Sequence, residues 1–151
     1  MKLVIQRVNK ASVIVKETNK VVGKIEKGLF ILLGIKKGDT KEKIDELTEK
    51  ISKLRIMSDN NDKMNLSIMD TRIANETKIL LVSQFTLYAN TKDGNRPSFI
   101  EAEEPEKARK LYEYFIKKLR EKEIKVETGS FGDYMEIECT LDGPVTINLE
   151  N

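Results

Sequence analysis

The chain reads as an α+β protein in which a mainly β sheet or barrel carries two packed helices. Three observations predict this class. Short apolar runs with period-two alternation recur towards both ends of the chain, two amphipathic stretches at helical spacing interrupt them, and polar or glycine-containing turns separate the segments. At 151 residues one hydrophobic core suffices, so a single domain over 1–151 is the expected organisation, without internal repeats or linkers.

Residues 3–8 and 11–15 alternate as strands, and Val21-Val22-Gly23-Lys24-Ile25 returns after a polar turn at Thr18-Asn19-Lys20. Residues 28–35, GLFILLGI, are apolar on both faces, the pattern of a strand covered on two sides. Asp39-Thr40-Lys41-Glu42 has the form of a capping box with Asp39 at the N-cap. Ile44, Leu47, Ile51 and Leu54 follow at helical spacing and predict a helix over about 40–55. Residues 58–63 form a polar loop that lacks the spacing and glycine of a calcium loop. Residues 78–88 read as a central strand and 90–97 as a loop. Glu104-Pro105 opens a second helix with proline in its first turn, and Ala108, Leu111, Phe115 and Leu119 form its apolar stripe. Residues 124–127 make a short strand. Met135, Ile137, Cys139 and Leu141 then alternate with polar neighbours, as in a strand buried on one face. Asp142-Gly143-Pro144 reads as a turn, and Val145, Ile147 and Leu149 alternate in the last strand.

Composition narrows the chemistry. The charged fraction is 34%, the net charge only +2, and lysines alternate with acids, so a DNA partner is not expected. A single cysteine, Cys139, allows neither an internal disulfide nor a cysteine-cluster zinc site. No metal and no other cofactor is expected. Apolar runs fall short of a membrane span, and Met1-Lys2-Leu3 leads into strand pattern rather than a signal peptide, so a cytoplasmic protein without a membrane partner is expected. There is no histidine. That removes Ser-His-Asp and Cys-His nucleophiles and imidazole acid/base catalysis together.

Against that background, Ser83, Gln84 and Thr86 place three polar side chains around Phe85 at the end of an apolar strand. They are either partners for neighbouring backbone at a strand end or the polar rim of a site where a loop begins. Strict alternation sets Ser83 and Phe85 on one face and Gln84 and Thr86 on the other, so one pocket collects them only if the strand twists or ends there. An amide freed at Phe85 is suited to an oxyanion. Arg7 occupies an apolar-facing strand position, and either reaches past the sheet into water or bonds an acceptor inside. Phe131 and Met135 flank Gly132 and read as core or as a stacking face for a base. Lys117, Lys118, Arg120 and Lys122 read as a solvated helix face or as a phosphate grip.

The joint pattern is more specific than its parts. It consists of Gln6-Arg7-Val8 with Ala11-Ser12-Val13, Gly28-Leu29, Lys63-Met64-Asn65-Leu66, Ser83-Gln84-Phe85-Thr86-Leu87 and Arg96-Pro97-Ser98-Phe99. Leu111-Tyr112 with Phe115, Thr128-Gly129 with Phe131, and Gly143-Pro144-Val145-Thr146 complete it. In this order the chain resembles, nearly end to end, the D-aminoacyl-tRNA deacylases of the bacterial/eukaryotic type (the D-tyrosyl-tRNA deacylase family).

The resemblance implies a DTD-like fold and hydrolysis of the ester between a D-amino acid and the terminal adenosine of tRNA, with glycyl-tRNA a further substrate. It implies a homodimer with sites at the interface, in which Gly143 and Pro144, joined by a cis peptide bond, enter the partner's pocket and reject L side chains by backbone alone. Arg7 would hold that segment, and Phe131 and Met135 would line the adenosine side. Ser83, Gln84 and Thr86 would position the ester, with the Phe85 N–H on the oxyanion. Two departures from the family pattern are Asp133-Tyr134, where Ala-Asp is usual, and Leu141, where asparagine is common. The alternatives are a sister deacylase with a trans proline acting on small L-aminoacyl-tRNA, an editing domain of an archaeal threonyl-tRNA synthetase, and a non-catalytic tRNA-binding dimer.

Overall fold

The first two expected strands are one. In the computed structural model, which describes residues 1–72, 76–92 and 94–151, β1 runs unbroken over Lys2–Val15. Neither glycine nor proline separates its halves, and exposed Asn9 and Lys10 cross between them. β2 (Lys20–Ile25) and β3 (Gly28–Gly34) both pair antiparallel with β1. α1 (Lys41–Lys53) follows, then a two-stranded hairpin of β4 (Met57–Ser58) and β5 (Met64–Leu66), and the short helix α2 (Ile68–Thr71). β6 (Lys78–Ser83) pairs parallel with β3, α3 (Pro105–Glu121) crosses back, and β7 (Val126–Thr128) pairs parallel with β6. β8 (Met135–Glu150) returns antiparallel along the whole of β1. Residue 93 of the expected 90–97 loop lies outside the described residues.

The main sheet, ordered β2-β1-β3-β6-β7 with β8 beside β1, curls into a nearly closed barrel because strand twist accumulates across it. Gly23 in β2 makes the approach of the far strands possible. A Cβ there would lie 2.3 Å from the carbonyl oxygen of Thr128 in β7. The doubly apolar β3 and β6 now have a reason. Leu29, Ile31, Leu33, Ile79 and Leu81 pack with α1 and α3 residues such as Ile44, Ile51 and Phe115. Phe30, Leu80 and Val82 face the barrel interior with Val8, Val13 and Ile25. Among the described residues no helix is long and apolar enough to cross a membrane.

Several expectations change. Besides the two expected helices there is α2, where Ser67 and Asp70 form a reciprocal capping box. The box expected at Asp39 does not form: the N-cap of α1 is Thr40, without a side-chain cap bond. Asp39 is buried, and it accepts from the Lys36 N–H (2.7 Å), the Met1 ammonium (3.1 Å) and Lys43 Nζ (3.0 Å). Two of those donors are cationic, and they hold a buried carboxylate more strongly than a helix amide does. The central strand ends at Ser83 rather than residue 88. Asp142-Gly143-Pro144 is not a turn between strands but a bulge inside β8. Cys139 and Leu141 are exposed rather than buried.

The lysine run on α3 faces its own carboxylates. Lys117 and Lys118 pair with Glu121, Lys118 also with Asp45, and Lys122 with Glu49. This is the solvated-face arrangement, and it ties α3 to α1. Hydrogen bonds from Lys122, then from Lys53, hold the Glu49 carboxyl down at about 2. A carboxyl depressed on folding stabilises the fold above its unfolded pKa, here the ordinary 4.5, and that contribution disappears as pH falls towards 2. Glu49→Gln should therefore lower Tm at pH 6 and flatten the acid-side decline of Tm between pH 5 and 2. Parallel Tm-versus-pH curves for the two proteins would mean the bridge is not populated in solution.

Candidate active site at the end of strand 6

β6 is hydrogen-bonded on both edges, and its last rung pairs Leu33 with Ser83. The Gln84 N–H still reaches the Leu33 carbonyl at 2.8 Å, and then the chain folds into a 3₁₀ turn over Phe85–Tyr88. Gly34 permits that turn. A Cβ at Gly34 would meet Leu87 Cβ at 2.9 Å and the Gln84 carbonyl oxygen at 3.2 Å. Because the strand stops here, alternation stops too, and Ser83, Gln84 and Phe85 line the same cleft. Thr86 is exposed at its rim, and its hydroxyl accepts from the Gln84 side-chain amide. The amides of Phe85 and Thr86 open the turn, where no carbonyl within the helix reaches them.

The cleft has a volume of about 910 Å³. Its second wall is the loop between β7 and β8. Gly129 anchors the loop to β6 through its N–H on the Leu81 carbonyl (3.1 Å), and a Cβ there would stand 2.9 Å from Met135 Sδ. Glycine at 129 therefore lets Met135 fold back against β6. Phe131 lies beside it, with the Arg109 guanidinium 4.8 Å from its ring centre and donating to its carbonyl at 3.1 Å. Tyr112 packs 5.6 Å from the same ring and donates its hydroxyl to the Leu81 carbonyl at 2.7 Å. Burial pushes that hydroxyl's pKa up, so it stays a donor. Phe85 and Phe99 form an edge-to-face pair at 5.1 Å on the opposite rim.

Five of the nine residues singled out in the sequence thus line one cleft: Ser83, Gln84, Phe85, Phe131 and Met135. Thr86 adjoins it. Arg7, Gly143 and Pro144 do not line it; they form a second cluster on β1 and β8. Between the rungs Gln6–Thr146 and Val8–Leu141, Arg7 alone faces four residues, 142–145. The surplus bulges outward and leaves Gly143 and Pro144 exposed, with Gly143 at φ +119° and a cis bond to Pro144. Arg7 is buried, donates from Nη1 to the Ile56 carbonyl at 2.9 Å, and holds Asp142 Oδ2 2.9 Å from Nε. The second contact is an ion pair, not a well-directed hydrogen bond. Arg7 therefore takes the inward alternative.

A sequence profile described as D-Tyr-tRNA(Tyr) deacylase matches residues 4–150. The chain belongs to this deacylase family. It is 51% identical over 152 residues to the D-aminoacyl-tRNA deacylase of Thermosipho melanesiensis, covering 100% of this chain and 97% of that one. Its identity to the Aquifex aeolicus protein of the same name is 50%, covering 100% and 98%. A solved structure named "c-Myc DNA Unwinding Element Binding Protein" superposes with a TM-score of 0.89 at 39% identity, covering 100% and 99%. A "probable eukaryotic D-amino acid tRNA deacylase" shares the fold, with a TM-score of 0.79 at 16% identity and 98% coverage of each chain. Family membership makes the protein a hydrolase.

In this deacylase-family chain the sequence assigns no role to the side chains that support the site. Tyr112 stands in the family pattern without a role and Arg109 lies off the apolar stripe of α3; the contacts of both are long-range. The signals that were available are Gly34 and Gly129, each placed where a side chain would strike the site's own atoms.

Proposed function

We propose that the protein hydrolyses the ester joining a D-amino acid to the terminal adenosine of tRNA, glycyl-tRNA included, releasing the free amino acid and tRNA. The observation that carries this reading is the cleft at the end of β6, where polar side chains and opening amides meet an aromatic wall. Water attacks the ester carbonyl carbon, and the Phe85 N–H donates to the carbonyl oxygen as it gains charge. The carbon–ribose oxygen bond breaks, and the ribose oxygen takes a proton that water gives up. Ser83, Gln84 and Thr86 position the ester, while Phe131 and Met135 line the adenosine side. With no histidine in the chain, the neighbouring ribose hydroxyl relays the proton. A substrate lacking that hydroxyl should react at least tenfold more slowly, and an unchanged rate would remove the relay.

The selectivity proposal needs two copies of the chain. Gly143 and Pro144 are exposed and lie off their own cleft, so they act on the cleft of a partner subunit, where backbone carbonyls take the amino group and leave no room for an L side chain. A homodimer of this kind is supported by β8, an outer strand with Cys139 and Leu141 exposed and Val145, Ile147 and Leu149 only partly covered. The protein acts in the cytoplasm, without a metal or other cofactor. The deciding experiment compares deacylation of D-tyrosyl-tRNA and L-tyrosyl-tRNA at one enzyme concentration. Loss of the D ester alone is expected. Turnover of neither would leave a non-catalytic tRNA-binding dimer.

A further inference from the structure

We propose that Tyr134, at the mouth of the cleft that takes the ester, is a stacking platform for the base of the nucleotide preceding the terminal adenosine. The inference rests on the deacylase reading above. It assigns a role to one of the two positions where the chain departs from its family's pattern.

Tyr134 is 79% exposed, more than any other large apolar side chain among the described residues, and it stands on the wall of the cleft. An exposed aromatic on a mobile loop would mean little, but this loop is fastened at both ends. The Gly129 N–H reaches the Leu81 carbonyl, and the Tyr134 carbonyl accepts from the Lys16 N–H at 2.9 Å. Between them, Ser130 Oγ bonds the Asp133 carboxylate, and Gly132 takes the turn at φ +89°. The backbone beneath the ring is therefore already ordered before anything binds, which lowers the entropic cost of using it.

The other rings around the cleft have partners. Phe131 lies under Arg109 and against Tyr112, and Phe85 and Phe99 pair with each other. Among the described residues, Tyr134 has neither an aromatic nor a cationic partner on its ring. Lys16 is bonded to Tyr134 through the backbone, and its ammonium is paired with Glu136, so the ring stays open. An exposed, unpartnered ring on an ordered loop suits a single-stranded nucleotide, because a base stacks on it. The acceptor end of tRNA is single-stranded, and with its ester in the cleft the next nucleotide must leave across the mouth. Stacking tolerates any base, so the contact serves every tRNA that enters.

The test is steady-state deacylation of three D-tyrosyl esters by wild type, Tyr134→Ala and Tyr134→Phe: on full tRNA, on a cytidyl-adenosine dinucleotide, and on adenosine alone. For Tyr134→Ala, KM should rise on the order of tenfold for tRNA and the dinucleotide with kcat unchanged, the size expected for one stacked base. The adenosine ester should be unaffected, and Tyr134→Phe should match wild type on all three. An equal loss on the adenosine ester would overturn the proposal by moving Tyr134 into the terminal-nucleoside pocket. Unchanged KM on all three would overturn it by removing Tyr134 from RNA contact. An inactive wild type would instead overturn the deacylase reading itself, so the two failures are distinct. The side chain is exposed, and the unfolding midpoint of the variants should match wild type.

Discussion

Arg7→Ala should cost about 3 kcal/mol of folding stability and most of the D-aminoacyl-tRNA deacylation. The stability figure follows from what the guanidinium holds. It is buried, it satisfies the Ile56 carbonyl, and it neutralises Asp142. Breaking a fully buried ion pair costs roughly 3–5 kcal/mol because the remaining charge is stranded. Here the Asp142 side chain is 39% exposed, so water recovers part of that loss and the lower end applies. Removing the buried side chain also opens a void, which adds to the cost. The activity follows from the register. Arg7 is the single β1 residue opposite the four-residue bulge, and it is the side chain that fixes Asp142 beside Gly143. Arg7→Lys should recover little, because a single ammonium cannot reach a carbonyl and a carboxylate in the geometry of a planar fork. Urea unfolding and kcat/KM on D-tyrosyl-tRNA measure the two losses. A change under about 0.5 kcal/mol with normal turnover would show that the bulge keeps its shape without Arg7.

The same cluster marks the limit of what the sequence could reveal. The strands, the two long helices and the proline at the start of α3 were legible because each is written in a local period or a local terminus signal. The end of β6 was not, because Leu87 and Tyr88 continue an apolar pattern past Ser83. What stops the strand is partly Gly34, fifty residues earlier in the chain, whose missing side chain makes room for the 3₁₀ turn. The bulge at residues 142–145 was read as a turn for a related reason. Register belongs to a pair of strands, and only the pairing with β1 shows that the strand continues on both sides of Gly143. Alternation at Cys139 and Leu141 correctly gave an apolar face, but it could not say whether the same chain covers it. Asp39 and Glu42 had capping-box spacing, yet the Met1 ammonium and Lys43, at opposite sides of Asp39 in sequence, took the carboxylate instead. The nine candidate residues were singled out through family resemblance more than through pattern. The structure adds their division into a cleft on β6 and a projecting segment on β8.

That division makes Gly143→Ala the sharpest test of the selectivity proposal. At φ +119° an L side chain is strained whatever space surrounds it, and here the added Cβ would lie 2.7 Å from Val145 Cγ2 and 2.8 Å from the Val145 backbone nitrogen. The valine methyl can rotate away, but the backbone nitrogen cannot. The bulge must therefore shift, at a cost of about 2 kcal/mol, the range for a residue held in a sparsely allowed conformation. The core stays intact, since Gly143 is exposed and Val145, Ile147 and Leu149 keep their places along the strand. A folded variant with a displaced carbonyl is the outcome, and a displacement near 1 Å at a positioning group is worth about a hundredfold in rate. Gly143→Ala should thus remain a cooperative folder while losing about two orders of magnitude in kcat/KM on D-tyrosyl-tRNA. Mixing it with an inactive Ser83, Gln84 and Thr86 triple alanine variant distinguishes insertion in trans from action within one chain. If each subunit lends its glycine-proline segment to the other's cleft, a heterodimer pairs one intact segment with one intact cleft, and part of the activity returns. No recovery in a verified heterodimer would mean that the segment serves its own chain, and the proposed exchange between subunits would fail.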